Sequence, residues 1–457
     1  MKTLCVIKNL LITIGLVIIA GSCKEQLLER KPDNKLVVPT TIDDFKALME
    51  DPYTFLTNYL NYAIVSSAEY ELTLENWQSL SFAPERNAYI WASDVFEQST
   101  ASGGWDNYYK QILYTNIVLE GLEKIAETQQ NKEDRDQLKG VALFYRSNAF
   151  FHLALIFADV YKAESNNSLG IPLRLTSDIN APTRRATLGE TYARITADLE
   201  EAIQLLPDFQ RHVTRPAKAP AFALLARVYL YMGNYQQALH CADQALQRKP
   251  NLIDFNQLSW QDDYPMEMYN IETIFYANVS ASASFRAPIC RVKTELFNSY
   301  DDRDLRKQAF FGLNEDESHS FKGSYTGSNA LFSGLSSNEM YLIKAECQAR
   351  TGDLDAAMET LNTLLKTRWE EGAFEPLHSE NQLDALKAII NERKKELLMR
   401  GLRWYDLKRL NTDERFQETL THNLDGTVYE LPPNDSRYTF LIPWYIIEAT
   451  GIEQNKR

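Results

Sequence analysis

One stretch constrains the fold before anything else does. Residues 219–250 read APAFALLARVYLYMGNYQQALHCADQALQRKP. Phe222, Leu225, Ala226 and Tyr229 recur at helical spacing and share one side of a first helix. Gly233 and Asn234 supply a turn. Tyr235, Ala238, Ala242 and Ala245 then line one face of a second helix, which Pro250 ends. Small residues fall where two helices must approach, and aromatic ones where the next helix must be covered. This matches the tetratricopeptide unit of roughly 34 residues; a generic antiparallel hairpin is the alternative. Such a pair cannot bury its apolar face alone and demands further helices.

Residues 339–369, EMYLIKAECQARTGDLDAAMETLNTLLKTRW, repeat the plan. Gly352 stands where Gly233 stands, Ala345 where Ala226 stands, and Ala357 where Ala238 stands. Residues 105–127 carry Tyr109, Ile112, Leu113, Asn116, Leu119 and Leu122 on one side of another helix. Residues 134–161 are apolar around most of their girth, which requires burial between neighbours. A helix over 187–206 opens on Thr187 and Glu190 at capping-box spacing, and Pro207 stops it. Thr40 or Thr41 caps a helix that starts at Ile42. Residues 383–410 read as the last long helical region. The pattern predicts a mainly α fold of tetratricopeptide-like pairs, with helical repeats at about 105–161, 187–250 and 337–410.

Two stretches break the pattern, 59–104 and 251–336. Both are too long for featureless linkers and rich in aromatic residues, so they are predicted as folded loop or functional surface. Residues 272–279 read as a short strand. A sugar ring offers an apolar C–H face and a hydroxyl rim; an aromatic side chain matches the face, and Asn, Asp or Arg the rim. Trp77 with Arg86 and Asn87, and Trp260 with Asp262, Asp263 and Tyr264, have that composition, and Tyr325 sits among small loop residues. These are the candidate ligand-binding residues. The competing reading is that each ring anchors its loop to the core.

The net charge of −14, with no local basic patch, argues against nucleic acid as a partner. Lys2 and Lys8 precede an apolar run over 10–20 that is too short to span a bilayer. Ala20-Gly21-Ser22 then leads into Cys23. Residues 1–22 are therefore predicted as a lipoprotein signal peptide, with Cys23 lipidated; an ordinary signal peptide cut at a small residue is the alternative. Several acyl chains on one Cys would hold the protein to a membrane surface. A polar tether follows over 23–40, then a single domain over 41–457. Cys241, Cys290 and Cys347 are an odd trio and do not suggest a disulfide framework; Cys241 and Cys347 fall on helices as small core residues.

The chain resembles the SusD/RagB family of nutrient-binding outer-membrane lipoproteins over essentially its whole mature length. Trp105 through Tyr109 to Asn116 resembles the family's W-x-x-x-Y…N helix, and Arg146 to Phe151 its R-A-x-x-Y-F helix. Gly170-Ile171-Pro172, Leu224 to Leu230 and Glu339 to Glu346 resemble further family stretches. So do Glu392-Arg393 through Arg409, Ile442-Pro443 and Gln454-Asn455. Ala158 stands where the family usually has Gly, and Arg400 where an acid usually precedes Gly401, which puts the local charge pairing in question. The resemblance implies lipid anchoring at the cell surface and non-enzymatic capture of a glycan or other nutrient. It also implies helices packed on a SusC-type TonB-dependent transporter that receives the ligand. Lys24-Glu25 resembles the charged export tag of such surface lipoproteins.

No GxSxG, P-loop, HExxH or CxxC motif is present, and no two of the six histidines fall at ligand spacing. No cofactor or metal is expected. His152 on an apolar helix reads as a core residue. The acidic runs 301–304 and 314–317 read as solvated loop rather than a calcium site. Glu392, Arg393, Glu396, Arg400 and Arg403 read as structural ion pairs at i,i+4. Two rival functions remain: an interaction scaffold without a small ligand, and a surface glycoside hydrolase, since paired carboxylates are recognised only by their separation.

Overall fold

The computed structural model describes residues 39–209 and 211–457. The expected signal segment, Cys23 and most of the tether lie outside the described residues. The fold is mainly α and is built from helix pairs. We label the long helices α1 (Trp105–Lys124), α2 (Lys132–Phe157), α3 (Leu188–Leu205), α4 (Lys218–Tyr231), α5 (Tyr235–Arg248), α6 (Ser337–Thr351), α7 (Leu354–Leu365), α8 (Gln382–Glu396) and α9 (Arg403–Leu410).

The founding hairpin is α4 and α5. Ala226, Ala238, Ala242 and Ala245 have no exposed surface, because only methyl groups fit where the two backbones approach. Gly233 closes the turn at φ +72°, a conformation open to glycine without steric cost, and the Asn234 side chain caps α5. The second hairpin, α6 and α7, repeats these features: Gly352 at φ +96°, Asp353 as cap, and Ala345, Ala349 and Ala357 fully buried. α5 packs directly on α6, so the two hairpins stack although a long insertion separates them in sequence. On the other side α2 lies between α1 and α3. Its last turns, Ala149 to Phe157, are buried all round, as its unbroken apolar girth requires. The capping box expected at Thr187 with Glu190 is present, and the cap expected at Thr40 or Thr41 is Thr41, which forms a capping box with Asp44.

The final helical region is not continuous. α8 ends at Glu396, and the chain turns through Met399 at φ +59° and Gly401 at φ +75° before α9 begins. A Cβ on Gly401 would lie 2.9 Å from Leu60 Cδ1, so the break is where this helix meets the 59–104 region.

That region is more regular than its sequence suggests. It holds three short helices, Asn61–Ser66, Leu74–Ser79 and Ala83–Tyr89. It is clipped to the insertion by two strand pairs: Thr57–Asn58, directly before it, runs parallel to Asn278–Val279, and Tyr70–Glu71 within it antiparallel to Arg291–Val292. The insertion is closed at its base, where Thr273–Phe275 pairs with Leu335–Ser336. The strand expected over 272–279 is therefore two short strands with different partners. A C-terminal hairpin, Leu420–Leu424 with Thr427–Leu431, stacks His422 between Tyr89 (3.9 Å) and Trp91 (4.6 Å).

A buried ionic network joins the insertion to the helical stack. Arg306 bonds Asp304 and Glu392 at 2.6 Å each and Glu396 at 3.1 Å. Arg368 bonds Glu272 and Glu396, both at 2.7 Å. The charged residues of α8 and α9, expected to pair among themselves at i,i+4, instead mainly reach other elements. Arg393 pairs with Asp406, Arg403 with Glu418, and Glu392 and Glu396 with Arg306. Asp304 belongs to this network and is fully buried, which corrects its reading as solvated loop; Asp301 and Asp302 are the exposed members of that run. Arg400 needs no acidic partner: it donates to Ser336 Oγ at 2.8 Å and lies 4.1 Å over the Tyr325 ring. Cys241 and Cys347 are buried core residues, and Cys290 is buried as well.

Candidate functional site

The strand pairs fix the two loop-rich regions against each other, and buried anchors hold them from below. Tyr70, Tyr89, Trp91 and Phe96 are almost wholly buried, so most of the aromatic excess in 59–104 is core. Ser282 Oγ donates to Glu85 Oε1 at 2.7 Å, a further tie between the regions.

Trp77 lies on the helix Leu74–Ser79, which Thr73 caps. It is half-buried, and its indole N–H donates to the Arg86 carbonyl at 3.1 Å. Arg86 donates to the Leu80 carbonyl, and the Asn87 amide to the Val95 carbonyl at 3.2 Å. These three residues are brought together, with the polar pair turned to holding the loop. Trp260 is also half-buried, and its N–H donates to the Phe255 carbonyl at 2.7 Å. Lys322 Nζ reaches the carbonyls of Trp260 and Asp262, which pins this turn to the strand pair Phe311–Leu313 and His319–Phe321. The Asp262 side chain and Tyr264 are exposed, the latter at 41%. No hydrogen bond or ring contact joins the Trp77 group to the Trp260 group among the described residues.

Tyr325 is a correction. It has no exposed surface; its hydroxyl donates to Glu272 Oε2 at 2.5 Å, and its ring lies under Arg400. The small residues around it let the chain fold inward and seat the ring on the ionic network. Burial drives its hydroxyl pKa well up, with the Glu272 charge adding to the effect. In the same network, burial pushes the Glu396 carboxyl up, but Arg368 and Arg306 outweigh it and hold it down at about 2.

None of the candidate residues lines the larger cavities. One, of about 530 Å³, lies between the end of α2, α9 and the C-terminal segment, beside Lys408, Asn411 and Thr439. A second, of about 1260 Å³, is an open acidic cleft along α7 beside Glu359, Glu371 and His378. A third, of about 240 Å³, is an apolar groove beside Trp105, Tyr109 and Ile179. The Trp77 group and the Trp260, Asp262 and Tyr264 group are half-buried or exposed and lie outside these cavities, whereas Tyr325 is buried. What the sequence reading passed over is the turn at 267–271, where Met268, Tyr269 and Ile271 are exposed together. The signal that could have found it is an aromatic residue between two aliphatic ones directly before a strand.

Among the described residues no group of three His, Cys, Asp or Glu side chains could hold a metal ion. His152 is a core residue, stacked 5.4 Å from Tyr108, and burial depresses its pKa to about 3, with Arg227 adding to the effect.

Comparison with known proteins agrees with this architecture. Residues 26–230 match a family model described as starch-binding and associating with the outer membrane, and residues 337–440 match the SusD family model. Residues 219–252 match a tetratricopeptide repeat. SusD-like protein P2 of Formosa agariphila is 25% identical over 346 residues, which span 61% of this chain and 66% of that relative, just under two thirds of its length. A SusD superfamily crystal structure from Bacteroides thetaiotaomicron superposes with a TM-score of 0.73 at 21% identity, covering 91% of this chain and all of the other. A laminarin-binding SusD-like protein superposes at 0.64 and 17% identity, covering 90% of this chain and 97% of the other.

Proposed function

Because the chain belongs to the SusD family of non-catalytic, carbohydrate-binding outer-membrane lipoproteins, we propose that it captures an oligosaccharide at the cell surface and passes it to a SusC-type TonB-dependent transporter. Lipid on Cys23 would hold it at the membrane. The observation that supports capture is the clipping of the 59–104 region to the insertion by two strand pairs. Trp77 in the one region, and Asp262 and Tyr264 in the other, are accessible while their neighbours are tied down. Rigid aromatic rings beside fixed polar groups bind sugar without a large ordering cost.

The ligand site is proposed at Trp77 with Arg86 and Asn87 and at Trp260 with Asp262 and Tyr264. Calorimetry of the intact protein against laminarihexaose and maltohexaose tests it. We expect Trp77→Ala combined with Trp260→Ala to weaken binding by about tenfold or more, the loss of one to two ring contacts. Unchanged affinity would remove these residues from the site. Transporter hand-over is tested separately, by co-purification of the lipidated protein with a neighbouring-gene transporter.

A further inference from the structure

Residues 267–271, Glu-Met-Tyr-Asn-Ile, form a turn just before the strand Thr273–Phe275. Its composition is the reverse of what a turn needs for folding. Met268, Tyr269 and Ile271 are 47%, 40% and 52% exposed. Tyr269 takes φ +63°, the left-handed region that bulky side chains rarely adopt. Strain of this kind persists only where the surroundings over-determine it.

The surroundings do so here. Asn270 Oδ1 accepts from the Glu272 N–H at 3.1 Å, and its amide donates to the Glu267 carbonyl at 3.0 Å. Glu272 is in turn held by Arg368 and Tyr325. Gly327 lets a second loop approach so closely that a Cβ there would lie 3.2 Å from the Met268 nitrogen. The Tyr269 ring meets Tyr276 at 4.9 Å and 75°, and His212 at 4.7 Å and 79°. Tyr269 is thus fixed in near-perpendicular contact with an exposed ring, His212, and a buried one, Tyr276. His212 Nδ1 lies 2.9 Å from Thr214 Oγ1, and the residue is exposed.

We propose that this turn is a second carbohydrate contact, taking a neutral sugar ring against Tyr269 with hydroxyls directed to His212 Nε2 and the Glu267 carboxylate. The proposal rests on the carbohydrate reading above and extends it to a separate place in the insertion. An aromatic face flanked by an imidazole nitrogen and an exposed carboxylate suits a hydroxyl-rich ligand, whereas the core of a protein interface is depleted of such charge. The carboxylate also disfavours acidic sugars.

The test uses the intact protein on an array of neutral oligosaccharides, the best binder then serving as probe in calorimetry. Tyr269→Ala and Tyr269→Gly are expected to weaken binding about tenfold, and Tyr269→Trp to restore it. Glycine adopts φ +63° freely, so Tyr269→Gly is expected to leave the melting temperature unchanged or raised. Wild-type protein silent across the array overturns the carbohydrate reading and this proposal together. Wild-type binding with unchanged affinity in the Ala and Gly variants overturns this proposal alone. A loss that Trp does not restore marks the ring as structural and overturns it too. A variant that binds sugar normally yet no longer co-purifies with the transporter overturns it in favour of protein docking.

Discussion

His422 shows how a single side chain can set the pH range of a fold. Its ring is stacked between Tyr89 and Trp91, and its Nε2 is buried without a partner. Burial depresses its pKa to about 3, and the charge of Lys293 adds to this. In the unfolded chain the same group titrates near 6.5. The unfolded state therefore binds the proton more readily, and the stabilisation present above about pH 6.5 is lost as pH falls toward 3. His152 behaves alike, whereas Glu69, which burial raises to about 7, works in the opposite direction and offsets part of the loss. Urea unfolding at pH 7 and pH 4.5 should show His422→Phe losing about 2–3 kcal/mol less stability than the wild type between the two. An identical loss in both would mean that the stack accepts the charged ring.

At the scale of elements, the hairpins were legible because their signals are local. Ala226 and Ala345, Gly233 and Gly352 each report a backbone approach or turn that only small residues permit. The break between α8 and α9 was not legible, because its cause is distant: Gly401 makes room for Leu60, far away in sequence. The two glycines separate these effects. Gly352→Ala meets nothing within 4 Å and should cost only the left-handed backbone term, about 1 kcal/mol. Gly401→Ala adds a clash with Leu60 and should cost about 2 kcal/mol or more, read by urea titration. The candidate site was only partly legible for a related reason. Aromatic richness marked the two loop-rich regions, but composition cannot tell a ring that anchors a loop, such as Tyr89 or Tyr325, from one that faces water, such as Tyr264 or Tyr269. That distinction is made by long-range partners, here Glu272, Arg400 and His422.

For the molecule as a whole, the ionic network is the junction between the helical stack and the surface it carries. Glu272, Asp304 and Arg306 come from the insertion, and Arg368, Glu392 and Glu396 from the stack. Removing one partner strands buried charge, so Arg368→Met should cost about 3–5 kcal/mol in urea unfolding, far more than the loss of any surface pair. A cost near zero would show that water enters the junction. The network also limits what can be exchanged between molecules of this build. Turn tips such as 267–271 can be rewritten without touching the charges beneath. A whole insertion moved into another stack would arrive with two carboxylates and one guanidinium seeking their counterparts, and the graft would take only if the recipient supplied them.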